Sequence, residues 1–229
     1  MKLSFFNPNI LWKMRIRYCK YKFLLCKGYS SRRKKAFLVE VRTVREKSLI
    51  MGERLLKIME TERLYLRELT LDDTQDLSKV LTEPESMQYY PEPFSLEKVE
   101  KWIKWNMDNY VKYNHGLWAV ILKDGEEFVG DCGITMQMIE NESVPEIGFH
   151  IIKDYWNKGY ATEAAMACKN YAFEVLNYPK IFSYTTIRNI PSQKVAKKMG
   201  MQTYKIFEKN GEPQIVQVAI HDESRSFES

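Results

Sequence analysis

A chain of 229 residues, 45% hydrophobic and 13% aromatic, is long enough for one sizeable domain plus an appendage and can bury a real core. It lacks an apolar run of the roughly 18 residues that would nominate a membrane-spanning helix. Cys19, Cys26, Cys132 and Cys168 show no Cys-x-x-Cys spacing, and His115, His150 and His221 are scattered, so disulfide and metal chemistry are disfavoured and a reducing, cytoplasmic setting is the default expectation.

The net charge of +5 is divided unevenly. Residues 1–50 carry 14 Lys or Arg against two acids, and the remaining residues carry 21 against 28. Three readings of the basic segment stand: an arm for nucleic acid or anionic lipid, a targeting segment, or upstream sequence read from a misplaced start codon. The last is preferred, because Met51 and Met59 stand immediately before a regular pattern begins. Residues 1–58 are therefore expected to be a basic extension, disordered or not native. Residues 59–222 are expected to form the domain and 223–229 a polar tail.

From Met59 the elements follow in order. Thr61 to Leu66 alternates charged and apolar residues and predicts a strand. Asp72 and Asp73 open a helix through Leu77 and Leu81 that ends before Pro84. Ser95 caps a longer helix with Val99, Trp102, Ile103, Asn106 and Tyr110 on one face. Leu117–Leu122 and Phe128–Met138 predict strands joined by an Asp124-Gly125 hairpin turn. After a turn at residues 141–143, Glu146–Ile152 is the next strand. Thr162–Leu176 is helical, Ile181–Ile187 a strand, and Pro191–Met199 a short helix stopped by Gly200. Two strands around Asn210-Gly211 close the pattern, which reads β-α-α-β-β-β-α-β-α-β-β.

The segment from Glu146 to Ala164 carries the chemistry. A strand runs through a short turn containing Gly159 directly into a helix, a layout that exposes unpaired N–H groups at the positive end of a helix dipole and suits phosphate. Neither a P-loop nor a dinucleotide glycine pattern is present. Trp156-Asn-Lys-Gly159-Tyr-Ala161 resembles the [Gln/Arg]-x-x-Gly-x-[Gly/Ala] motif of the GNAT superfamily, in the form found in enzymes that acetylate ribosomal-protein N-termini and small amines. Met59-Glu-Thr-Glu-Arg-Leu-Tyr-Leu-Arg-Glu-Leu resembles the opening strand of that subgroup. Asn189-Ile-Pro-Ser192 and Lys198-Met-Gly200-Met201 are similar to its second block.

The resemblance implies an α/β (α+β) GNAT fold. Its mixed, mostly antiparallel twisted sheet would have about seven strands flanked by about four helices, splayed between the fourth and fifth strands. It implies acetyl-CoA as cosubstrate, held by the backbone of Phe149, His150 and Ile151, by the turn residues Trp156, Asn157, Lys158, Gly159, Tyr160, Ala161 and Thr162, and by Asn189. The reaction implied is direct attack of a primary amine in a ternary complex, with Glu146 as base and a strand N–H near His150 or Ile151 contacting the oxyanion. Two departures are visible. Trp156 replaces Gln or Arg, and Ala196 stands where many relatives carry a tyrosine acid, leaving Ser192 or solvent for that role. Tyr89, Tyr90 and Phe94 are expected to wall the acceptor site, where aromatics suit an apolar or cationic amine. The acceptor is expected to be a small amine or a protein N-terminus, and the protein a monomer or homodimer. An inactive acyl-CoA sensor and a nucleic-acid-binding protein are the competing classes, the latter disfavoured by the acidic balance of the domain.

Overall fold

The computed structural model describes residues 57–221, so the readings of residues 1–56 and of the polar tail lie outside the described residues. One eight-stranded sheet runs in the order β1-β2-β3-β4-β5-β6-β8-β7. Its strands are β1 (Lys57–Glu60), β2 (Leu64–Glu68), β3 (Leu117–Leu122), β4 (Phe128–Ile139), β5 (Glu142–Ile151), β6 (Lys180–Thr186), β7 (Gln202–Lys209) and β8 (Glu212–Ile220). Four α-helices accompany them: α1 (Thr74–Leu81), α2 (Leu96–Tyr113), α3 (Tyr160–Glu174) and α4 (Ile190–Lys198). None is long and apolar enough to cross a membrane.

The fold agrees with the expected class, with one strand more. β1 precedes the predicted opening strand and pairs antiparallel with β2, drawing Lys57 and Ile58 into the sheet. The predicted "fourth" and "fifth" strands are thus β5 and β6.

Alternation sends side chains to two main cores, with a smaller cluster of Ile139, Val144, Phe182 and Val216 at the β5–β6 seam. Leu64, Leu66, Trp118, Val120, Ile147 and Ile151 pack under α3, whose Ala164, Ala165, Cys168 and Ala172 are small enough to let the helix sit close to the sheet. Tyr65, Ala119 and Ile121 face the other way, against Leu77, Val80 and Leu81 of α1 and Val99 and Ile103 of α2. Both faces are covered, which is why β3 and the start of β4 read as apolar runs rather than as alternation. Each large aliphatic side chain buried here contributes about 1.5–3 kcal/mol relative to exposure.

Every neighbouring pair is antiparallel except β5 with β6. That pair is parallel and its register consists of Glu146 opposite Phe182 alone. Beyond this point toward Ile151 the two strands part. The sheet is open where the sequence resemblance places the splay.

Candidate active site

Backbone direction along β5 decides what faces the opening. Ile152 donates its N–H to the Val129 carbonyl of β4, and the His150 N–H turns the same way, to Asp131 Oδ1 at 3.1 Å. In an antiparallel ladder the positions between bonded pairs point outward, so Phe149 and Ile151 present their backbone groups to the gap beside β6. The Ile151 carbonyl accepts the Trp156 indole N–H at 2.7 Å, which seats that ring at the mouth of the opening. Of the three strand residues expected to offer backbone groups, His150 is the exception. Its N–H is engaged on the β4 side by the Asp131 carboxylate.

The turn after β5 leads into α3 through two left-handed residues. Asn157 (φ 60°) and Gly159 (φ 86°) both occupy left-handed conformations, and Gly159 is the residue before α3. No side chain caps that helix, so the leading N–H groups of Tyr160, Ala161 and Thr162 have no partner within it. Small Ala161 keeps the approach open, while the Lys158 ammonium lies over the Tyr155 ring, 5.2 Å from its centroid, rather than across the turn.

A residue the sequence reading missed holds this turn in place. Arg63, between β1 and β2, donates to the Lys158 carbonyl at 3.0 Å and from Nε to Glu163 Oε2 at 2.7 Å. Its guanidinium also lies over the Tyr160 ring, 4.5 Å from the centroid. Glu163, in the first turn of α3, accepts in addition from the Arg63 N–H and the Thr61 hydroxyl. Burial disfavours its charge, but the hydrogen bonds from Thr61 and Arg63 outweigh that and lower its pKa. The Thr-Glu-Arg of the opening segment and the Thr-Glu of the turn are thus one contact, split across about a hundred residues of chain.

Glu146 sits at the root of the opening, 8% exposed. Burial pushes its carboxyl up to about 7, against the opposing influence of the Tyr184 backbone N–H, the Thr135 hydroxyl at 3.4 Å and the His150 charge. A carboxylate poised there can exchange protons near neutral pH.

On the same face of β5, four residues on, His150 anchors a chain of polar contacts. Its Nδ1 lies 2.7 Å from Asp131 Oδ1, and its Nε2 lies 2.7 Å from the Tyr90 hydroxyl. Asp131 is fully buried on β4 and accepts from the Trp102 indole of α2 as well. Sequence reading valued His150 for its backbone and did not include Asp131 or Trp102. A single acid inside an otherwise apolar strand, Val129-Gly-Asp131-Cys-Gly-Ile134, was the available signal, because a buried carboxylate requires donors.

The residues expected to wall the acceptor site separate. Tyr90 reaches the β5 face and remains 39% exposed; Tyr89 is half-buried. Phe94 is buried beneath the loop, edge-on to Trp102 at 5.7 Å, and belongs to the core under α2. Asn189 caps α4, its Oδ1 accepting the Ser192 N–H at 3.1 Å. Ala196 is fully buried in that helix. Among the described residues no group of three or more His, Cys, Asp or Glu is placed to hold a metal ion.

The mixed sheet opens at its one parallel pair, above an uncapped helix start and beside the buried Glu146 carboxyl. Residues 63–202 match the family described as the acetyltransferase (GNAT) domain, and the chain belongs to that family. Among curated proteins it is 36% identical over 154 residues to the uncharacterized protein YkkB of Bacillus subtilis, covering 67% of this chain and 90% of YkkB. It is 34% identical over 151 residues to the uncharacterized N-acetyltransferase YnaD of the same organism, covering 65% and 85%. A GNAT-family acetyltransferase structure from Bacillus anthracis superposes with a TM-score of 0.62 at 26% identity, covering 71% of this chain and 97% of that one. The protein is an acetyltransferase.

Proposed function

We propose that the protein transfers an acetyl group from acetyl-CoA to a primary amine, of a small molecule or a protein N-terminus, by direct attack in a ternary complex. The observation that carries this reading is the placement of Glu146, a buried carboxyl with its pKa near neutrality, where β5 and β6 part. The residues present fit the cosubstrate. Phe149 and the Ile151 N–H face the gap and offer backbone groups for the pantetheine arm, while the Ile151 carbonyl holds the Trp156 indole. The turn from Asn157 to Thr162 offers N–H groups and a glycine-width approach to the pyrophosphate. Trp156 closes the end of the gap, and Asn189 stands at the end of β6, its capping bond leaving the amide NH2 for the arm.

Glu146 takes a proton from the acceptor ammonium, and the Ile151 or Phe149 N–H steadies the charge that develops on the carbonyl oxygen. A preorganised donor of that kind is worth about 3–4 kcal/mol. Tyr89 and Tyr90 border the acceptor side. Incubation with acetyl-CoA and a panel of polyamines, amino acids and peptide N-termini, reading free CoA release, tests the proposal. Absence of CoA release with every amine in the panel, while CoA still binds, would favour the sensor reading.

The Arg63 brace makes a separate prediction. Arg63→Ala removes the link to Lys158 and Glu163 and is expected to weaken CoA binding on the order of tenfold, as for loss of a charge-assisted hydrogen bond. Arg63→Lys should recover little, because an ammonium cannot reproduce the fork. Calorimetric titration with CoA checks both, and wild-type affinity in Arg63→Ala would show the turn to be self-supporting.

A further inference from the structure

The proposed transfer leaves one proton unassigned. When the amine nitrogen bonds to the acetyl carbon and the C–S bond breaks, the electron pair stays on sulfur, and the thiolate requires a proton. Ala196 cannot supply one. Ser192, the donor suggested by the sequence, gives its backbone N–H to the Asn189 cap, and no hydrogen bond links its hydroxyl to β5 among the described residues.

We propose that Asp131, His150 and Tyr90 form a proton-delivery chain for the departing CoA sulfur, with Tyr90 as the catalytic donor and His150 and Asp131 as positioning residues behind it. The inference rests on the acetyl-transfer reading above. Its geometry is continuous: Asp131 Oδ1 to His150 Nδ1 at 2.7 Å, then His150 Nε2 to the Tyr90 hydroxyl at 2.7 Å. An ionised carboxylate only accepts, so Nδ1 carries a hydrogen and Nε2 is the end that changes state. With Nε2 protonated, it donates to the Tyr90 oxygen and frees the phenol hydrogen to point outward. The Tyr90 phenol interacts electrostatically with Glu146 on β5 and with Tyr184 on β6, the two strands that flank the opening, so the chain ends beside the gap.

Three donors hold the Asp131 carboxylate in place: the His150 ring, the His150 backbone N–H and the Trp102 indole. The charged and titratable groups facing His150 are Asp131 from β4, Glu146 from its own strand and Tyr90 from the loop before α2. Burial works against the imidazolium, but the charge and hydrogen bond of Asp131 outweigh it, with Glu146 adding to them, so His150 ionises above its usual value. Although part of the Tyr90 ring is exposed, its phenol is pushed up, first by desolvation and then by the Glu146 and Asp131 charges, and it stays protonated at rest.

The step balances over two protons from the acceptor nitrogen. The ammonium proton passes through Glu146 to solvent before attack, and the second is taken by Glu146 as the amide forms. The Tyr90 proton moves to sulfur and the Nε2 proton moves to the Tyr90 oxygen. Exchange with solvent returns Glu146 to carboxylate and His150 to imidazolium.

Bound CoA with 13C beside its sulfur reports thiol ionisation by NMR without turnover. A donor at the sulfur stabilises the thiolate, so in the wild type the midpoint is expected below that of free CoA. In Tyr90→Phe it should rise by about one pH unit, the size of one charge-assisted hydrogen bond. Asp131→Asn should raise it part of the way and lower the His150 midpoint seen in the ligand-free protein. With a turned-over acceptor, Tyr90→Phe should lower kcat about 10²-fold and lose the alkaline fall in rate set by His150. Equal CoA midpoints in wild type and Tyr90→Phe would overturn the chain and leave the transferase reading intact. Failure of the wild type to bind CoA would overturn both.

Discussion

Gly159→Val is expected to reduce CoA affinity at least a hundredfold, on the order of 3 kcal/mol, while leaving both cores intact. Gly159 has φ 86°, a conformation that costs an L-residue about 1–2 kcal/mol and a β-branched one more. An added Cβ would sit 3.3 Å from Arg63 Nη2, so the guanidinium that braces Lys158 and Glu163 must shift. The same branch would stand among the N–H groups that open α3. Gly159 is solvent-exposed, so no core packing is lost. Calorimetry with CoA, alongside far-ultraviolet dichroism, separates the two consequences. Undiminished affinity in a folded variant would remove the pyrophosphate assignment.

Glu146→Gln is expected to lower turnover about 10²-fold, as for loss of a general base, with CoA affinity preserved. The wild-type rate should rise as the carboxyl ionises around pH 7. The defect should narrow at higher pH, where more acceptor amine is already neutral. Stability moves the other way. Because the folded pKa is raised from 4.5 to about 7, the stability this group contributes is fully present below about pH 4.5 and is lost as pH rises through about 7. The loss is on the order of 3 kcal/mol. A neutral amide of the same shape avoids it, so Glu146→Gln should melt above the wild type at pH 8 and close to it at pH 4. A variant that is both inactive and less stable at pH 8 would mark Glu146 as a structural residue.

Most of the fold was legible because local physics marks it. Ser95 accepts the Lys98 N–H as a cap should, and Asn210-Gly211 makes the closing hairpin. Boundaries moved by a few residues: α3 begins at Tyr160 rather than Thr162, because Gly159 permits a start that no side chain signals. β1 was missed because Lys57–Glu60 is too short to show alternation and is a strand only by pairing with β2. The candidate site divides along the same line. Gly159, the turn and Glu146 are contiguous in sequence and could be read there. The Arg63–Glu163 brace and the Asp131–His150–Tyr90 chain join residues that only the folded sheet brings together, and no spacing rule announces them.

The single parallel bridge between β5 and β6 bears on the order in which the molecule assembles. β3, β4 and β5 are successive hairpin partners, as are β7 and β8, so each block closes short loops and gains its contacts early. Joining β5 to β6 must wait for α3 to cross over, and a single bridged residue pair, backed by the packing of Val144 against Phe182, then secures it. The gap that would receive acetyl-CoA is thus completed at the last and least reinforced seam of the sheet. A ligand bridging both sides would add the cross-links that this seam lacks, so binding should slow unfolding more than it speeds folding.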